Sequence, residues 1–222
     1  NFNGWICSPT PKYRIDKSLL KLSKDLKCIV TPSTGTNHID LEECKKRGIS
    51  VISLSGTKFV NKIYASSEFT FMLALIMMKK LLLGMNEVKN YNWRKNEKHF
   101  RGFEIYGKKI AIIGMGRIGK NLSRYFRSFG AKINAYDIKK IKIPKYINFH
   151  KNIEDAIKDA KIVFICVKLN KNSYKLINKK IFNLMNKETI LINTSRGEVI
   201  DEKELIHSLK YNKIESAAID VL

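Results

Sequence analysis

The sequence predicts an α/β protein whose strands form doubly wound parallel sheets. Along the 222 residues, short apolar segments of strand length alternate with segments whose apolar residues recur at helical spacing. A long apolar segment, Ile63–Leu83, divides this alternation into two series. The second series begins with a glycine-rich turn between an apolar strand and an amphipathic helix. Strands that alternate with helices in this way are typically parallel and joined by right-handed crossovers.

The first series contains three predicted strands and two predicted helices. Each strand is a short apolar run, and the second helix ends at Gly48, a residue type that commonly follows a helix C-terminus. The strands are predicted at Trp5–Cys7, Cys28–Val30 and Ile49–Leu54, and the helices at Asp16–Leu26 and Leu41–Arg47. This order predicts a first domain over residues 1–62.

Ile63–Leu83 is predicted to form one long helix. Its residues are apolar on most sides, and a helix of that kind is usually buried. We expect it to lie between two domains or between two subunits. A polar connection rich in lysine and asparagine follows over Asn86–Arg101. The domain boundary is therefore placed at the start of this helix, and the second domain covers residues 63–222.

The second series contains five predicted strands and four predicted helices. The strand at Ile162–Val167 is a nearly continuous apolar run, which is typical of a parallel strand covered by helices on both faces. The other strands are predicted at Lys109–Ile113, Lys132–Tyr136, Thr189–Ile192 and Ser216–Val221, and the helices at Ile118–Phe129, Ile153–Asp159, Ile181–Leu184 and Glu202–Leu209.

Composition and charge narrow the functional classes. Lysine and arginine total 42 and acidic residues total 20, which gives a net charge of +22. Nucleic-acid-binding proteins carry such an excess, but here the lysines are spread over every segment and only 8 of the basic residues are arginine. A genome-wide bias in composition produces the same excess, so we expect no nucleic-acid partner.

Neither a membrane span nor a metal site is predicted. The longest apolar run, Phe69–Met78, is shorter than the ~20 residues that a helix needs to cross a bilayer. The cysteines show no spacing typical of zinc ligands or of a disulfide framework; they are Cys7, Cys28, Cys44 and Cys166. We therefore expect reduced thiols, no bound metal and a cytoplasmic location.

The glycine-rich turn has a G-x-G-x-x-G pattern at Gly114, Gly116 and Gly119. It follows the strand Lys109–Ile113 and opens the helix Ile118–Phe129, which is the context in which this pattern binds a dinucleotide. The first glycine permits a tight turn, the second lets a pyrophosphate approach the backbone, and the third lets the helix pack closely on the strand. The N–H groups at the start of the helix then face the phosphates.

Asp137 ends the next strand, 18 residues after Gly119. A carboxylate at this place accepts hydrogen bonds from the hydroxyls of the adenosine ribose and repels a 2′-phosphate, so NAD is predicted over NADP. Lys139 and Lys140 follow closely and could soften the preference.

Arg196 follows the strand Thr189–Ile192 in a turn of small polar residues and glycine. Ligands bind beyond the carboxyl ends of the strands in such sheets, and a planar guanidinium suits a carboxylate. The alternative is that Arg196 caps a helix or pairs with Glu198 or Asp201 at the surface. Spacing alone leaves both interpretations open.

Three blocks of sequence resemble the D-isomer-specific 2-hydroxyacid dehydrogenases, in the order found in that family. The blocks are PSTGTNHIDLEECKKRGISV at residues 32–51, GKKIAIIGMGRIGKNLSRYFRSFGAKINAYD at 107–137, and LINTSRGEVIDEKEL at 191–205 followed by AAIDVL at 217–222. The resemblance covers the chain from about Cys28 to Leu222. It implies a Rossmann NAD-binding domain and a flavodoxin-like substrate domain, the latter incomplete in this sequence, with NAD and substrate in the cleft between them.

The resemblance also implies roles for individual residues. Arg196 matches the arginine that binds the substrate carboxylate and helps to polarise the carbonyl group, and Thr34 and Gly35 match backbone amides that hold the same carboxylate. Asp220 matches the aspartate that faces the nicotinamide carboxamide, and Thr70 matches a position near the nicotinamide. The other implied cofactor contacts are Arg117 and Ile118 at the pyrophosphate, Val167 and Lys168 beside the adenosine, and Thr194 and Ser195. The stretch around Lys168 usually carries a proline in the family, which this sequence lacks.

The implied activity is hydride transfer between NAD and carbon 2 of a D-2-hydroxy acid or 2-oxo acid. In the family a histidine beside a glutamate exchanges the hydroxyl proton, and both match positions beyond Leu222, whereas none of His38, His99, His150 and His207 matches. We therefore expect the sequence to be a fragment, inactive by itself, of a homodimeric enzyme. The alternative is a non-catalytic, NAD-sensing regulatory protein on the same scaffold. Phosphoglycerate-type, glycerate/hydroxypyruvate-type and glyoxylate-type substrates all stay open.

Overall fold

The computed structural model describes residues 2–9, 11–92, 94–139 and 141–221, so Lys140 lies outside the described residues. The chain divides into two compact units, Asn1–Ile63 and Tyr64–Leu222. Each unit contains its own parallel sheet and its own apolar core.

The first unit contains a parallel sheet with strand order β1-β2-β3, which confirms the parallel arrangement predicted from the sequence. Its core is formed by apolar side chains that include Ile15, Leu20, Ile29 and Cys44. The strands are β1 (Gly4–Ile6), β2 (Cys28–Thr31) and β3 (Ser50–Ser53), and the helices are α1 (Lys17–Leu20) and α2 (Leu41–Lys46).

Helix α1 is shorter than the predicted helix Asp16–Leu26. Asp16 caps it by accepting hydrogen bonds from the N–H groups of Ser18 and Leu19. The N–H of Leu22 then bonds to the carbonyl of Leu19, a tighter turn of the kind that commonly ends a helix. Leu26 therefore reaches the core from an irregular segment rather than from the helix.

The second unit is built on a parallel sheet with strand order β6-β5-β4-β7-β8-β9. Counted from β4, this is the order 3-2-1-4-5-6 of a doubly wound nucleotide-binding fold, so the predicted fold class is confirmed. The strands are β4 (Lys109–Ile113), β5 (Lys132–Tyr136), β6 (Ile147–Phe149), β7 (Ile162–Ile165), β8 (Ile190–Asn193) and β9 (Ser216–Ile219). The helices are α3 (Ala65–Met78), α4 (Leu81–Lys89), α5 (Glu97–Phe100), α6 (Arg117–Ser128), α7 (Ile153–Ile157), α8 (Lys179–Phe182) and α9 (Glu202–Lys210).

The edge strand β6 is not predicted from the sequence. It has only 3 residues, and its central residue, Asn148, is exposed. A strand of that length carries too little periodicity to be recognised. It forms because Ile133 pairs with Ile147 and extends the sheet by one strand beyond β5.

Helices cover both faces of the second sheet. Successive side chains of β4 point to opposite faces and so belong to two separate apolar cores. Ile110 and Ile112 face α3 and α6, where they pack with Phe126. Ala111 and Ile113 face the opposite side, where α7, α8 and α9 pack. Because both faces are buried, the strand is apolar along its length, as expected for a central parallel strand.

The prediction of one helix over Ile63–Leu83 is wrong. The chain forms α3 and α4, with Lys80 between them in the left-handed region at φ 49°. The carbonyl of Met78 accepts a hydrogen bond from the N–H of Phe103 at 3.0 Å. A Cβ on Gly102 would lie 2.5 Å from that carbonyl oxygen, so the returning segment passes directly against the end of α3.

Burial also differs between the two helices. In α3 the buried residues are Ser67, Thr70, Ala74 and Met78. In α4 no residue is buried, so the expectation that the whole segment is buried is wrong for the isolated chain. Among the residues that the structure describes, no helix has both the length and the apolar character needed to cross a membrane.

Candidate nucleotide-binding site

The candidate site lies along the carboxyl edge of the second sheet. Because all paired strands are parallel, their carboxyl ends share this edge. Predicted site residues follow five of these strands: Gly114 after β4, Asp137 after β5, Val167 after β7, Thr194 after β8 and Asp220 after β9. Binding at this edge is the general rule for open α/β sheets.

Gly114 makes the turn that leaves β4. Its φ is +100°, a conformation that side chains rarely adopt, and its N–H donates to the carbonyl of Tyr136 at 2.8 Å. A Cβ here would also lie 2.7 Å from the carbonyl oxygen of Cys166 and 2.9 Å from the Val167 side chain. Conformation and space therefore both require glycine at this position.

Gly119 and Gly116 lack side chains for different reasons. A Cβ on Gly119 would collide with the carbonyl oxygen of Gly114 and lie 3.1 Å from Ile112, so this glycine permits α6 to pack against β4. A Cβ on Gly116 would meet nothing within 4 Å. The absence of a side chain at Gly116 therefore leaves open space beside the turn, where a pyrophosphate fits.

The start of α6 supplies hydrogen-bond donors to that space. Gly116 is the N-cap of this helix, and Arg117 and Ile118 form its first turn, both partly exposed. The first N–H groups of a helix have no acceptor within the helix, and its dipole is positive at this end. The arrangement suits the negative charge of phosphate.

Asp137 is fixed by two backbone groups. Its Oδ2 accepts the N–H of Met115, inside the glycine-rich turn, at 2.8 Å, and its Oδ1 accepts the N–H of Lys139 at 2.9 Å. Each carboxylate oxygen can accept a further hydrogen bond. The carboxylate is therefore oriented beside the turn and still able to bind two hydroxyl groups.

The segment after β7 passes beside the same turn. The N–H of Cys166 donates to the carbonyl of Ile113 at 2.7 Å, and the carbonyl of Lys168 accepts the hydroxyl of Ser173 at 2.6 Å. Burial raises the pKa of the Cys166 thiol to about 12, so the thiol is neutral at physiological pH and adds no negative charge near the turn. Hydrogen bonds to Ile113 and from Ser173 therefore hold the backbone on either side of Val167.

Thr70, on α3, reaches the loop after β8. Its hydroxyl donates to the carbonyl of Ser66 at 2.6 Å and lies 2.7 Å from the hydroxyl of Thr194. Because Thr70 has one hydroxyl proton, already used, Thr194 is the donor in the second bond. Helix α3 is joined to α6 by the buried Asn121, whose amide donates to the hydroxyl of Ser67 at 3.1 Å.

Asn193 organises the loop that carries Arg196. Its Oδ1 accepts the N–H of Ser195 at 3.0 Å and the hydroxyl of Ser195 at 2.7 Å. Its Nδ2 donates to the carbonyl of Arg196 at 2.9 Å. The N–H of Asp220, the first residue after β9, donates to the carbonyl of Asn193 at 3.0 Å. The ends of β8 and β9 are thereby joined at the loop.

The guanidinium of Arg196 is partly exposed and donates to the carbonyl of Ser195 at 2.6 Å. Asp201, one of its suggested partners, forms an ion pair with Lys175 at 3.2 Å. The choice between substrate binding and a surface pair therefore stays a prediction.

Thr34 and Gly35 lie in the first unit, in the turn after β2. Thr34 is exposed, and the carbonyl of Gly35 accepts the hydroxyl of Ser33 at 2.6 Å. The hydroxyl of Thr31 lies 2.9 Å from that of Ser33 and 3.1 Å from Nε2 of His38. His38 is thus part of the network that shapes this turn.

Sequence reasoning did not single out Asn193 as a site residue. The available signal was a polar residue at the end of the apolar run Ile190–Ile192, where a buried amide needs partners. Within residues 2–9, 11–92, 94–139 and 141–221, no cluster of three or more histidine, cysteine or acidic side chains could hold a metal ion.

Comparisons with known proteins agree with this geometry. Residues 71–222 match a family model described as D-isomer specific 2-hydroxyacid dehydrogenase, NAD binding domain. Residues 4–60 match a model described as D-isomer specific 2-hydroxyacid dehydrogenase, catalytic domain.

Curated and solved relatives point to the same family. A glyoxylate reductase of Pyrococcus horikoshii is 33% identical over 215 residues, which cover 94% of this chain and 63% of the relative. A D-3-phosphoglycerate dehydrogenase of Methanocaldococcus jannaschii is 29% identical over 211 residues, covering 94% of this chain and 39% of the relative. The structure of D-lactate dehydrogenase from Aquifex aeolicus, complexed with NAD and lactic acid, aligns with a TM-score of 0.87 and 27% identity, covering 99% of this chain and 64% of that chain. The chain therefore spans less than two thirds of the length of these relatives.

An added methyl group should have different effects at Gly116 and at Gly119. Gly116→Ala should fold normally but weaken NADH binding by about tenfold or more, because the methyl group fills the space that the pyrophosphate needs. Gly119→Ala should also lower the free energy of unfolding by about 1–3 kcal/mol, because the methyl group collides with backbone. Fluorescence titration with NADH and thermal unfolding measure the two effects.

Gly84→Ala, in α4, is the matched control, since its Cβ would lie 3.9 Å from the Phe100 ring, which is ordinary van der Waals contact. It should leave NADH affinity unchanged. Unaltered NADH binding by Gly116→Ala would contradict the assignment of this turn to the pyrophosphate.

Proposed function

The chain belongs to the D-isomer-specific 2-hydroxyacid dehydrogenase family, and we propose that the protein transfers a hydride between NAD and carbon 2 of a D-2-hydroxy acid or its 2-oxo acid. The observation that carries the proposal is the open space at Gly116, bordered by the N-terminus of α6 and by the oriented carboxylate of Asp137. This combination suits the pyrophosphate and adenosine ribose of NAD.

The cofactor is proposed to lie along the carboxyl edge of the second sheet. When bound, its nicotinamide supplies or accepts the hydride. Residues of this chain are proposed to bind and orient it, and each role is supported by the family resemblance and by the place of the residue along this edge. Gly114, Gly116, Arg117 and Ile118 are proposed to border the pyrophosphate, and Gly119 lets α6 pack closely enough on β4 to reach it. Asp137 is proposed to bind the ribose, and Val167 and Lys168 to lie beside the adenosine. The residues proposed to surround the nicotinamide are Thr70, Thr194, Ser195 and Asp220.

Arg196 is proposed to bind the substrate carboxylate. Its planar guanidinium can donate two parallel hydrogen bonds, and its charge also stabilises the negative charge that develops on the carbonyl oxygen during reduction. The backbone amides of Thr34 and Gly35 are proposed to bind the carboxylate as well. We assign the exchange of the hydroxyl proton to a group other than His38, His99, His150 and His207.

The thiols and the apolar surface support two further proposals. All four cysteines are free, with Cys7 and Cys44 buried, which fits a reducing compartment, so we place the protein in the cytoplasm. We also propose a homodimer that covers the apolar residues of α4, whose exposed fractions lie between 48% and 63% at Leu81, Leu82, Leu83, Met85 and Val88. Several large apolar side chains exposed on one helix commonly mark a protein–protein interface.

Because this sequence is expected to be a fragment that is inactive by itself, the proposed activity is assayed with the full-length protein, which should oxidise NADH in the presence of a 2-oxo acid. Glyoxylate, hydroxypyruvate and pyruvate are the first substrates to try. Arg196→Gln should raise the KM for the 2-oxo acid by about 100-fold, because two charge-assisted hydrogen bonds are lost. Its affinity for NADH should change little. Absorbance at 340 nm and fluorescence titration measure the two quantities.

Arg127→Gln is the control, because Arg127 lies exposed in the last turn of α6, at the opposite end of that helix from the turn. It should keep the wild-type KM. NADH binding by the full-length wild-type protein without reduction of any 2-oxo acid would contradict the proposed reaction and favour the NAD-sensing alternative.

The proposed homodimer predicts that charge on the apolar surface of α4 produces monomers. The double variant Leu82→Glu and Val88→Glu should halve the molecular mass in sedimentation equilibrium, because two buried carboxylates would oppose association. Leu22→Glu, at an 81% exposed leucine of the first unit, should remain dimeric. A wild-type protein that sediments as a monomer would overturn the proposal.

A further inference from the structure

Strand β8 ends in a buried polar residue. Ile190, Leu191 and Ile192 are fully buried apolar side chains, and Asn193 follows them with 0% exposure. Burying an amide side chain is unfavourable unless its donors and acceptor find partners. The Asn193 amide must therefore have hydrogen-bond partners.

The side-chain hydrogen bonds of Asn193 go to Ser195 and Arg196, in the turn that is proposed to bind the substrate. Its Oδ1 accepts both the N–H and the hydroxyl of Ser195, and its Nδ2 donates to the carbonyl of Arg196. The orientation of the amide is fixed by chemistry, because a backbone N–H requires an acceptor and a carbonyl requires a donor. One planar group thus determines the backbone position of both residues.

The backbone of Asn193 is held between two neighbouring strands of the sheet. Asn193 pairs with Ile165 of β7 on one side and with Ile219 of β9 on the other. Its carbonyl also accepts the N–H of Asp220 at 3.0 Å. A side chain held between two strands of a buried sheet has little freedom to move.

We infer that Asn193 is a positioning residue, which fixes the backbone of Arg196 so that the guanidinium meets the substrate carboxylate. This inference rests on the proposed role of Arg196. Asparagine suits this position better than an ionised aspartate, because the carbonyl of Arg196 needs a donor, which a carboxylate lacks, while Ser195 needs an acceptor. Asn193 acts through Arg196 and makes no contact with substrate.

Asn193→Asp tests the inference with almost no change in size. When its carboxyl group is ionised, the variant keeps an acceptor for Ser195 but places a second acceptor against the carbonyl of Arg196, where the native distance is 2.9 Å. We expect the KM for the 2-oxo acid that the wild-type protein reduces fastest, among glyoxylate, hydroxypyruvate and pyruvate, to rise by about tenfold, the effect of one lost hydrogen bond. The dissociation constant for NADH should change less than about twofold.

Thr189→Val is the matched control. Thr189 directly precedes the other end of β8, is also 0% exposed, and donates its hydroxyl to the carbonyl of Ala160 at 2.8 Å. Its loss should lower the unfolding temperature as the loss at Asn193 does, but leave the KM unchanged. A similar rise in KM for both variants would mean that Asn193 acts only through stability, and would overturn the inference.

The dependence on Arg196 is tested by combining the variants. In the Arg196→Gln background, Asn193→Asp should raise the KM for the 2-oxo acid no further, because the group that it positions is gone. A full additional tenfold rise would contradict the inference. If Asn193→Asp fails to bind NADH, Asn193→Ser replaces it, since serine retains an acceptor for the N–H of Ser195 and is too short to reach the carbonyl of Arg196.

The outcomes separate this inference from the proposed function. An unchanged KM in Arg196→Gln itself would overturn the role of Arg196. A raised KM in Arg196→Gln, together with an unchanged KM in both Asn193 variants, would overturn only the role of Asn193.

Discussion

The close approach of α6 to β4 at Gly119 is the contact on which the nucleotide-binding edge depends. A side chain there would collide with the carbonyl of Gly114, and a side chain at Gly114 would collide with the backbone of Cys166. Because both positions lack side chains, the start of α6 and the end of β7 can lie against the end of β4. The helix N–H groups and the segment at Val167 therefore border one turn.

The polar residues at the ends of the strands complete that edge. The two cores of the sheet are mainly apolar, and apart from Asn134 in the middle of β5 the hydrogen-bonding strand residues discussed above lie where strands leave the core. Asp137 is held by the N–H of Met115, and Asn193 is held by the loop that it organises. These residues join neighbouring segments by bonds to backbone groups, which fixes their orientation more tightly than contacts between flexible side chains would.

The family, the fold class and the glycine-rich turn could be predicted because their signals are local. The turn, its flanking strand and helix, and Asp137 lie within residues 107–137, and each glycine has a separate steric reason. The break after Met78 could not be predicted, because it depends on Gly102 and Phe103, which return from a later part of the chain. The hydrogen-bond partners of Asn193 could not be predicted either, since they depend on how the loop after β8 folds. The proposed roles of Thr34, Gly35 and Arg196 came from the family resemblance, because spacing alone left the role of Arg196 open.

The most direct test of the nucleotide site is a pair of fluorescence titrations of the wild-type protein with NADH and NADPH. A carboxylate fixed at Asp137 repels a 2′-phosphate, so the dissociation constant for NADPH should be at least about tenfold higher than that for NADH. Equal or tighter binding of NADPH would contradict the role of Asp137. Binding of neither dinucleotide would contradict the site as a whole.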